Sequence, residues 1–294
     1  MTKIYSLCAS LLLLAFFSTS SQAAEQTAPD FVAIQSFARL AGASYADETA
    51  IKKELTAQHY VLDKLIDIPG FLVSGFVASN AATKTQIIVV RGTANEENAF
   101  VDLALQLLPD KKTGVKLHQG FSKSANDFYQ KALPVLHKDY HVITVGHSLG
   151  GAVAVILAMY LDVDHFNVEK VVTFGQPKVT NVTGARKFSD LNIIRVVNPK
   201  DVVPLVPPLD PMDLTKMDIY WHMGKEIVLL DNHEYAVLEG MKSMLRISRF
   251  TSVVPDESNL QHHMMTEYLR RIADEIPKAK QVPYETGFNL FGGL

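Results

Sequence analysis

Residues 141–161 read HVITVGHSLGGAVAVILAMYL. This stretch decides the fold class. A β-branched run, Val142 to Val145, leads into Gly146-His147-Ser148-Leu149-Gly150, and a run rich in Ala, Val, Ile and Leu leads out. The pattern G-x-S-x-G between a strand and a helix is what a nucleophile elbow requires. Ser148 must then sit on a tight, strained turn. Gly146 and Gly150 lack a Cβ, so strand and helix can approach closely there. The start of the helix offers unpaired N–H groups, favourable to developing negative charge.

Working outward, residues 30–45 carry apolar side chains at helical spacing (Phe31, Ile34, Phe37, Ala38, Ala41), and Asp30 is a suitable cap. A second helix is expected over Asp47 to Gln58. Strand-like runs follow at Tyr60–Ile66, Phe71–Ala78 and Thr85–Val90, with Pro69-Gly70 and Ser79-Asn80 as turns. They predict an antiparallel meander that enters a larger sheet. A helix is expected from Ser122 to about Asp139, with Pro134 a kink. Beyond the elbow, strands are expected at Val171–Phe174, Ile193–Val197 and Lys225–Leu230. Helices are expected around Gly184–Leu191 and His263–Ile276, and Pro199 to Pro211 reads as a loop. Strands alternating with helices imply an α/β fold with a central mixed, mostly parallel sheet flanked by helices. Catalytic loops in such sheets gather at the carboxyl ends of the strands.

The 294 residues are 48% hydrophobic and 20% charged, an ordinary globular composition without repeats or low-complexity runs. At the N-terminus, Lys3 precedes the apolar stretch Ile4 to Phe17, and Ser21 and Ala23 are small residues two apart. This reads as a signal peptide, residues 1–23, ahead of a single domain over 24–294. A secreted or periplasmic location is therefore expected. The only cysteine, Cys8, lies in the leader, so the remainder offers no disulfide or thiol nucleophile. A net charge of −3 advertises no nucleic-acid-binding surface.

A serine nucleophile needs a base, and the base needs an orienting acid. In this architecture the chain order is Ser, then Asp or Glu, then His. Asp201 follows the strand Ile193–Val197 and is the preferred acid; Asp210, Asp213, Asp218 and Asp231 are competitors in looser positions. Candidate bases are His222, His233, His262 and His263. His222, beside Trp221, reads as a packing residue. His262 and His263 are not separated by spacing. Adjacent histidines diverge and no carboxylate stands at ligand spacing, so neither a metal nor a cofactor is expected.

Five segments in order carry a resemblance to the class 3 lipases, the α/β-hydrolase group that includes fungal triacylglycerol lipases and plant acyl-lipid hydrolases. They are Val89-Val90-Arg91-Gly92-Thr93 with Asp102 downstream, His118-Gln119-Gly120-Phe121, Gly146–Ala152, Thr173-Phe174-Gly175-Gln176-Pro177, and Arg195-Val196-Val197-Asn198 running into Asp201-Val202-Val203-Pro204. Tyr220-Trp221-His222-Met223-Gly224 is similar to a structural motif of the same group. The likeness spans about residues 85–270.

The resemblance implies an α/β-hydrolase fold and a lipid or other ester substrate. It selects His263, five positions before Tyr268, as the base. It implies an oxyanion hole from the backbone N–H groups of Thr93 and Leu149, with Asp102 holding the Thr93 hydroxyl or its loop. The expected activity is a secreted serine hydrolase that cleaves lipid carboxylic esters, a lipase or esterase, through an acyl-enzyme on Ser148. A phospholipase A-type hydrolase or an acyltransferase would use the same machinery. A noncatalytic lipid-binding protein is the reading of a different class. The chain departs from the fungal pattern at Ala99, where relatives often carry tryptophan. Residues 94–112 read equally as a mobile lid making transient lipid contact or as a fixed amphipathic segment.

Overall fold

The computed structural model describes residues 28–71, 73–93, 106–207, 218–246 and 257–284. The expected signal peptide at 1–23, most of segment 94–112, Asp102, Asp210 and Asp213 lie outside these residues.

Helix α1 (Phe31–Ala43) is capped by Asp30, whose side chain accepts from the Ala33 N–H; α2 (Glu48–Ala57) is capped likewise by Asp47. Strands β1 (Val61–Ile68), β2 (Val73–Asn80) and β3 (Thr85–Arg91) form the antiparallel meander. Two short strands, β4 (Leu107–Pro109) and β5 (Lys116–His118), precede α3 (Gln119–Ala132). Next come β6 (His141–His147), α4 (Leu149–Val163), β7 (Asn167–Phe174), β8 (Thr180–Asn181), α5 (Val182–Lys187) and β9 (Ile193–Val197). After them lie β10 (Tyr220–Trp221), β11 (Lys225–Leu229), β12 (Glu234–Leu238) and α6 (Gly240–Leu245). The described chain closes with α7 (Glu257–His263), α8 (Met265–Glu275) and β13 (Lys280–Gln281).

The nine-stranded main sheet runs β1-β2-β3-β6-β7-β9-β11-β12-β13. Strands β3, β6, β7, β9 and β11 are mutually parallel. The meander flanks them on one side; on the other, β12 runs antiparallel to β11 and β13 parallel to β12. This is the expected mixed, mostly parallel sheet. A second sheet, β10-β8-β5-β4, is small and made of two- and three-residue strands that the sequence did not announce.

Helix α4 is buried from Leu149 to Leu161. Its Gly150, Gly151 and β-branched residues each cost up to about 1 kcal/mol in helix propensity. Full burial of a Val, Ile or Leu returns about 1.5–3 kcal/mol each, so packing decides the helix. One core layer joins α4 to Phe121, Phe128 and Tyr129 of α3 and to one face of the sheet. The other lies beneath α1 and α8, with Phe76, Phe174 and Tyr268 among its members.

Several expected bounds differ: Ser79-Asn80, expected as a turn, close β2, and the helix expected around Gly184–Leu191 runs as α5 from Val182 to Lys187. Two other helices differ more. The helix expected over 122–139 starts earlier, where the His118 ring accepts from the Phe121 N–H, and ends at Ala132 in a short 3-10 turn that includes Pro134. The helix expected from His263 is two helices broken at Met264, whose backbone is extended (φ −65°, ψ 141°).

Candidate active site

Ser148 stands between β6 and α4 at φ 56°, ψ −133°, outside the comfortable regions for an L-residue. The two elbow glycines allow this turn. A Cβ on Gly146 would lie 2.3 Å from the Gly150 carbonyl oxygen, and one on Gly150 would lie 2.3 Å from the Val90 carbonyl oxygen. Any side chain at either position would therefore push the helix off the sheet. The Ser148 N–H donates to the Phe174 carbonyl at 2.9 Å, which ties the elbow to the end of β7.

Gly175, at φ 59°, makes the next contact. A Cβ there would meet Asp201 Oδ2 at 2.7 Å and His263 Nδ1 at 2.9 Å. Asp201 and His263 thus close over the glycine beside the residue that holds Ser148. His263 Nδ1 lies 2.8 Å from Asp201 Oδ2, with both side chains buried. A carboxylate accepts only, so Nδ1 carries the proton and Nε2 is left as the basic ring nitrogen. The Tyr268 hydroxyl donates to the same Oδ2 at 2.6 Å, and the Val203 N–H donates to Oδ1 at 2.9 Å. Burial and the neighbouring carboxylate hold the Tyr268 phenol well above its ordinary range, so it stays a donor.

The loops are fixed by the same logic. The Asn198 amide donates to the His262 carbonyl and the Asn259 amide to the Lys200 carbonyl, which joins the acid loop to α7. Downstream, successive carbonyls are gathered from outside the loop. His222 Nε2 meets the Pro204 carbonyl at 2.6 Å; Lys178 donates its N–H to Val206 and its ammonium to Leu205 and Pro207. Sequence reasoning missed Lys178, because a buried lysine has no local signature. Burial and the nearby Arg246 and Arg195 push its pKa well down.

On the β3 side, Gly92 lies against the elbow. A Cβ there would sit 3.0 Å from Ser148 Cβ and 3.3 Å from the Leu149 nitrogen. Thr93 follows directly and is buried; its hydroxyl has no hydrogen-bond partner among the described residues. Leu149 opens α4, where an N–H lacks an intrahelical acceptor.

Of the competing acids, Asp218 pairs with Lys116 and Asn181, and Asp231 is an exposed partner of Arg271. Of the competing bases, His233 meets the Asp274 carbonyl at the end of α8, and His262 faces Glu267 at 3.8 Å. His222 is a buried packing residue, as its sequence context suggested. Among the described residues no group of three or more His, Cys, Asp or Glu is arranged to hold a metal ion. No described helix is long and apolar enough to cross a membrane. Of segment 94–112, residues Leu107–Pro109 are paired as β4, and Asp110 closes the following turn by accepting from Thr113. A cavity of about 580 Å³ lies away from Ser148, lined in part by Trp221, Met223 and Met241.

Residues 87–210 match the lipase (class 3) family. Across this segment the chain is similar to the class 3 lipases. The lipase of Rhizopus niveus is 33% identical over 148 residues, which cover 46% of this chain and 38% of that protein. The secreted mono- and diacylglycerol lipase 1 of Fusarium solani is 29% identical over 153 residues, 47% of this chain and 44% of its own. The chain thus spans less than half the length of these curated relatives. The crystal structure of the lipase from Rhizopus microsporus var. chinensis superposes with a TM-score of 0.58 at 28% identity, covering 69% of this chain and 75% of that one. The matched segment ends just beyond Asp201, so it holds Thr93, Ser148 and Asp201, whereas His263 lies on a later helix.

Proposed function

We propose that the protein is an exported serine hydrolase that cleaves carboxylic esters of lipids through an acyl-enzyme. The observation that carries this reading is the buried His263–Asp201 pair at 2.8 Å, closed over Gly175 next to the strained Ser148 elbow. Ser148 Oγ attacks the ester carbonyl. His263 Nε2 takes the hydroxyl proton and returns it to the leaving alcohol. Asp201 holds the ring by Nδ1 and stabilises its charged form. The N–H groups of Leu149 and Thr93 receive the oxyanion, each contributing roughly 3 kcal/mol to the barrier reduction. Water activated by His263 then releases the acid and regenerates Ser148. The relatives named lipase support a lipid ester as substrate. The apolar leader of residues 1–23 and the secreted Fusarium solani relative support export.

The test is hydrolysis of short-chain esters, emulsified triacylglycerol and phospholipid vesicles by the wild type beside Ser148→Ala. Activity on one class that disappears in the variant is the expected result, and the preferred class names the substrate. No serine-dependent hydrolysis of any class would turn the reading toward a noncatalytic lipid-binding protein.

A further inference from the structure

His147, the residue before the candidate nucleophile, uses both ring nitrogens. Nε2 lies 2.7 Å from the main-chain carbonyl oxygen of His263. Nδ1 lies 2.7 Å from the Tyr45 hydroxyl just beyond α1. A carbonyl only accepts, so Nε2 carries the proton and the Tyr45 hydroxyl donates to Nδ1. Both contacts join elements far apart in sequence, 116 and 102 residues away. The His147 and His263 rings are 4.7 Å apart between centroids, tilted by 31°. Tyr268 of α8 approaches His147 edge-on at 6.0 Å, and the Arg91 guanidinium of β3 lies 5.8 Å from the Tyr45 ring. The titratable or charged groups around this ring are therefore Tyr45, His263 and Tyr268, with Arg91 behind Tyr45.

We propose that His147 and Tyr45 are positioning residues that brace the backbone of His263 against the elbow, so that the base and Ser148 keep one separation. The inference rests on the hydrolase reading above. Asp201 and Tyr268 fix the far side of the His263 ring but leave its main chain to α7, which breaks one residue later at Met264. The His147 N–H is the contact that fixes this main chain to the strand carrying the nucleophile. Tyr45 selects the tautomer that can donate. A neutral His147 also places no positive charge beside the His263 imidazolium that forms during attack. Burial and the neighbouring His263 keep His147 neutral by pushing its pKa well down.

The experiment compares His147→Phe, His147→Gln, Tyr45→Phe and the double variant His147→Phe/Tyr45→Phe, with thermal unfolding to show that each is folded. A 1 Å error in placing a catalytic group costs up to about 100-fold. His147→Phe keeps a flat ring but loses the donor, and kcat should fall about 10-fold or more with KM within about twofold. His147→Gln restores an N–H at the position of Nε2 and should recover most of that loss. Tyr45→Phe should fall less, and the double variant should be no worse than His147→Phe, because one relay is cut twice. Equal damage by Phe and Gln, additive losses, or kcat within about twofold of wild type for His147→Phe would overturn the brace.

A second readout does not depend on turnover. The His263 Nδ1 proton shared with Asp201 should give a low-field NMR resonance that shifts or broadens in His147→Phe and returns in His147→Gln. An unchanged resonance in His147→Phe would overturn the brace even if no ester were hydrolysed. Loss of serine-dependent hydrolysis in the wild type would instead count against the hydrolase reading alone.

Discussion

Asp201 Oδ2 accepts from both the His263 ring and the Tyr268 hydroxyl, while Oδ1 accepts from the Val203 N–H. Asp201→Asn keeps the volume but brings an amide that can donate to Nδ1, which favours the wrong tautomer. We expect kcat to fall by about four orders of magnitude with little change in KM, measured on whichever ester proves best. Retention of a tenth of the wild-type kcat would remove Asp201 from the role. Tyr268→Phe removes one charge-assisted hydrogen bond, worth about 1.5–3 kcal/mol, and leaves the other two. Its kcat should fall about tenfold, far less than for Asp201→Asn, which pre-steady-state kinetics can resolve. Ser148 and Asp201 were legible because chain order and strand ends are local signals. Spacing alone left His262 and His263 tied, and the resemblance to the class 3 lipases selected His263. Successive helical residues point about 100° apart, so only the tertiary frame reveals that His263 faces Asp201 and His262 faces Glu267. His147 and Tyr45 were invisible as a pair, since 102 residues separate them.

Elements with a long apolar or capped signature emerged near their expected bounds. Strand β9 coincides with the expected Ile193–Val197, and α1 starts beside Asp30 as its capping pattern implied. Strand β7 begins at Asn167, four residues before the expected start, because its first turn-side half is partly exposed and carries Glu169 and Lys170, which conceal a strand. The small sheet escaped notice because two or three residues give no alternation to read. Its role is nevertheless local to the site: β5 leads into α3, and β8 follows Lys178, which holds the loop after Asp201. The elbow glycines give the sharpest test at this scale. Gly150→Ala places a methyl group 2.3 Å from the Val90 carbonyl, where backbone must move. We expect a stability loss of about 2 kcal/mol or more, read by denaturant midpoint, together with a collapse of activity, because α4 carries the Leu149 N–H away from Gly92. Full activity with wild-type stability would show that the strand–helix contact is looser than the geometry requires.

Across the whole molecule, buried ionisable groups pull stability in opposite directions with pH. His147 and His222 are buried, and desolvation pushes both pKa values well below the ordinary 6.5. Below pH 6.5 the unfolded chain takes up protons that these rings refuse in the fold, so stability is lost as pH falls. Glu275 acts the other way. It is buried at the end of α8, its Oε2 lacks a partner among the described residues, and burial raises its pKa from 4.5 to about 7. Between pH 4.5 and about 7 the folded carboxyl keeps a proton that the unfolded chain has released, so stability is lost as pH rises across that window. Glu275→Gln keeps the neutral shape at every pH. Its Tm should therefore exceed that of wild type by a few degrees at pH 8 and match it near pH 4. His222→Gln should flatten the acid side, losing less stability than wild type between pH 6.5 and pH 4.5. Neither substitution touches the residues assigned to the reaction, so the two Tm curves report the fold separately from the chemistry. Curves that run parallel to wild type, merely offset, would mean that these groups titrate alike folded and unfolded, and that the pH limits of the molecule are set elsewhere.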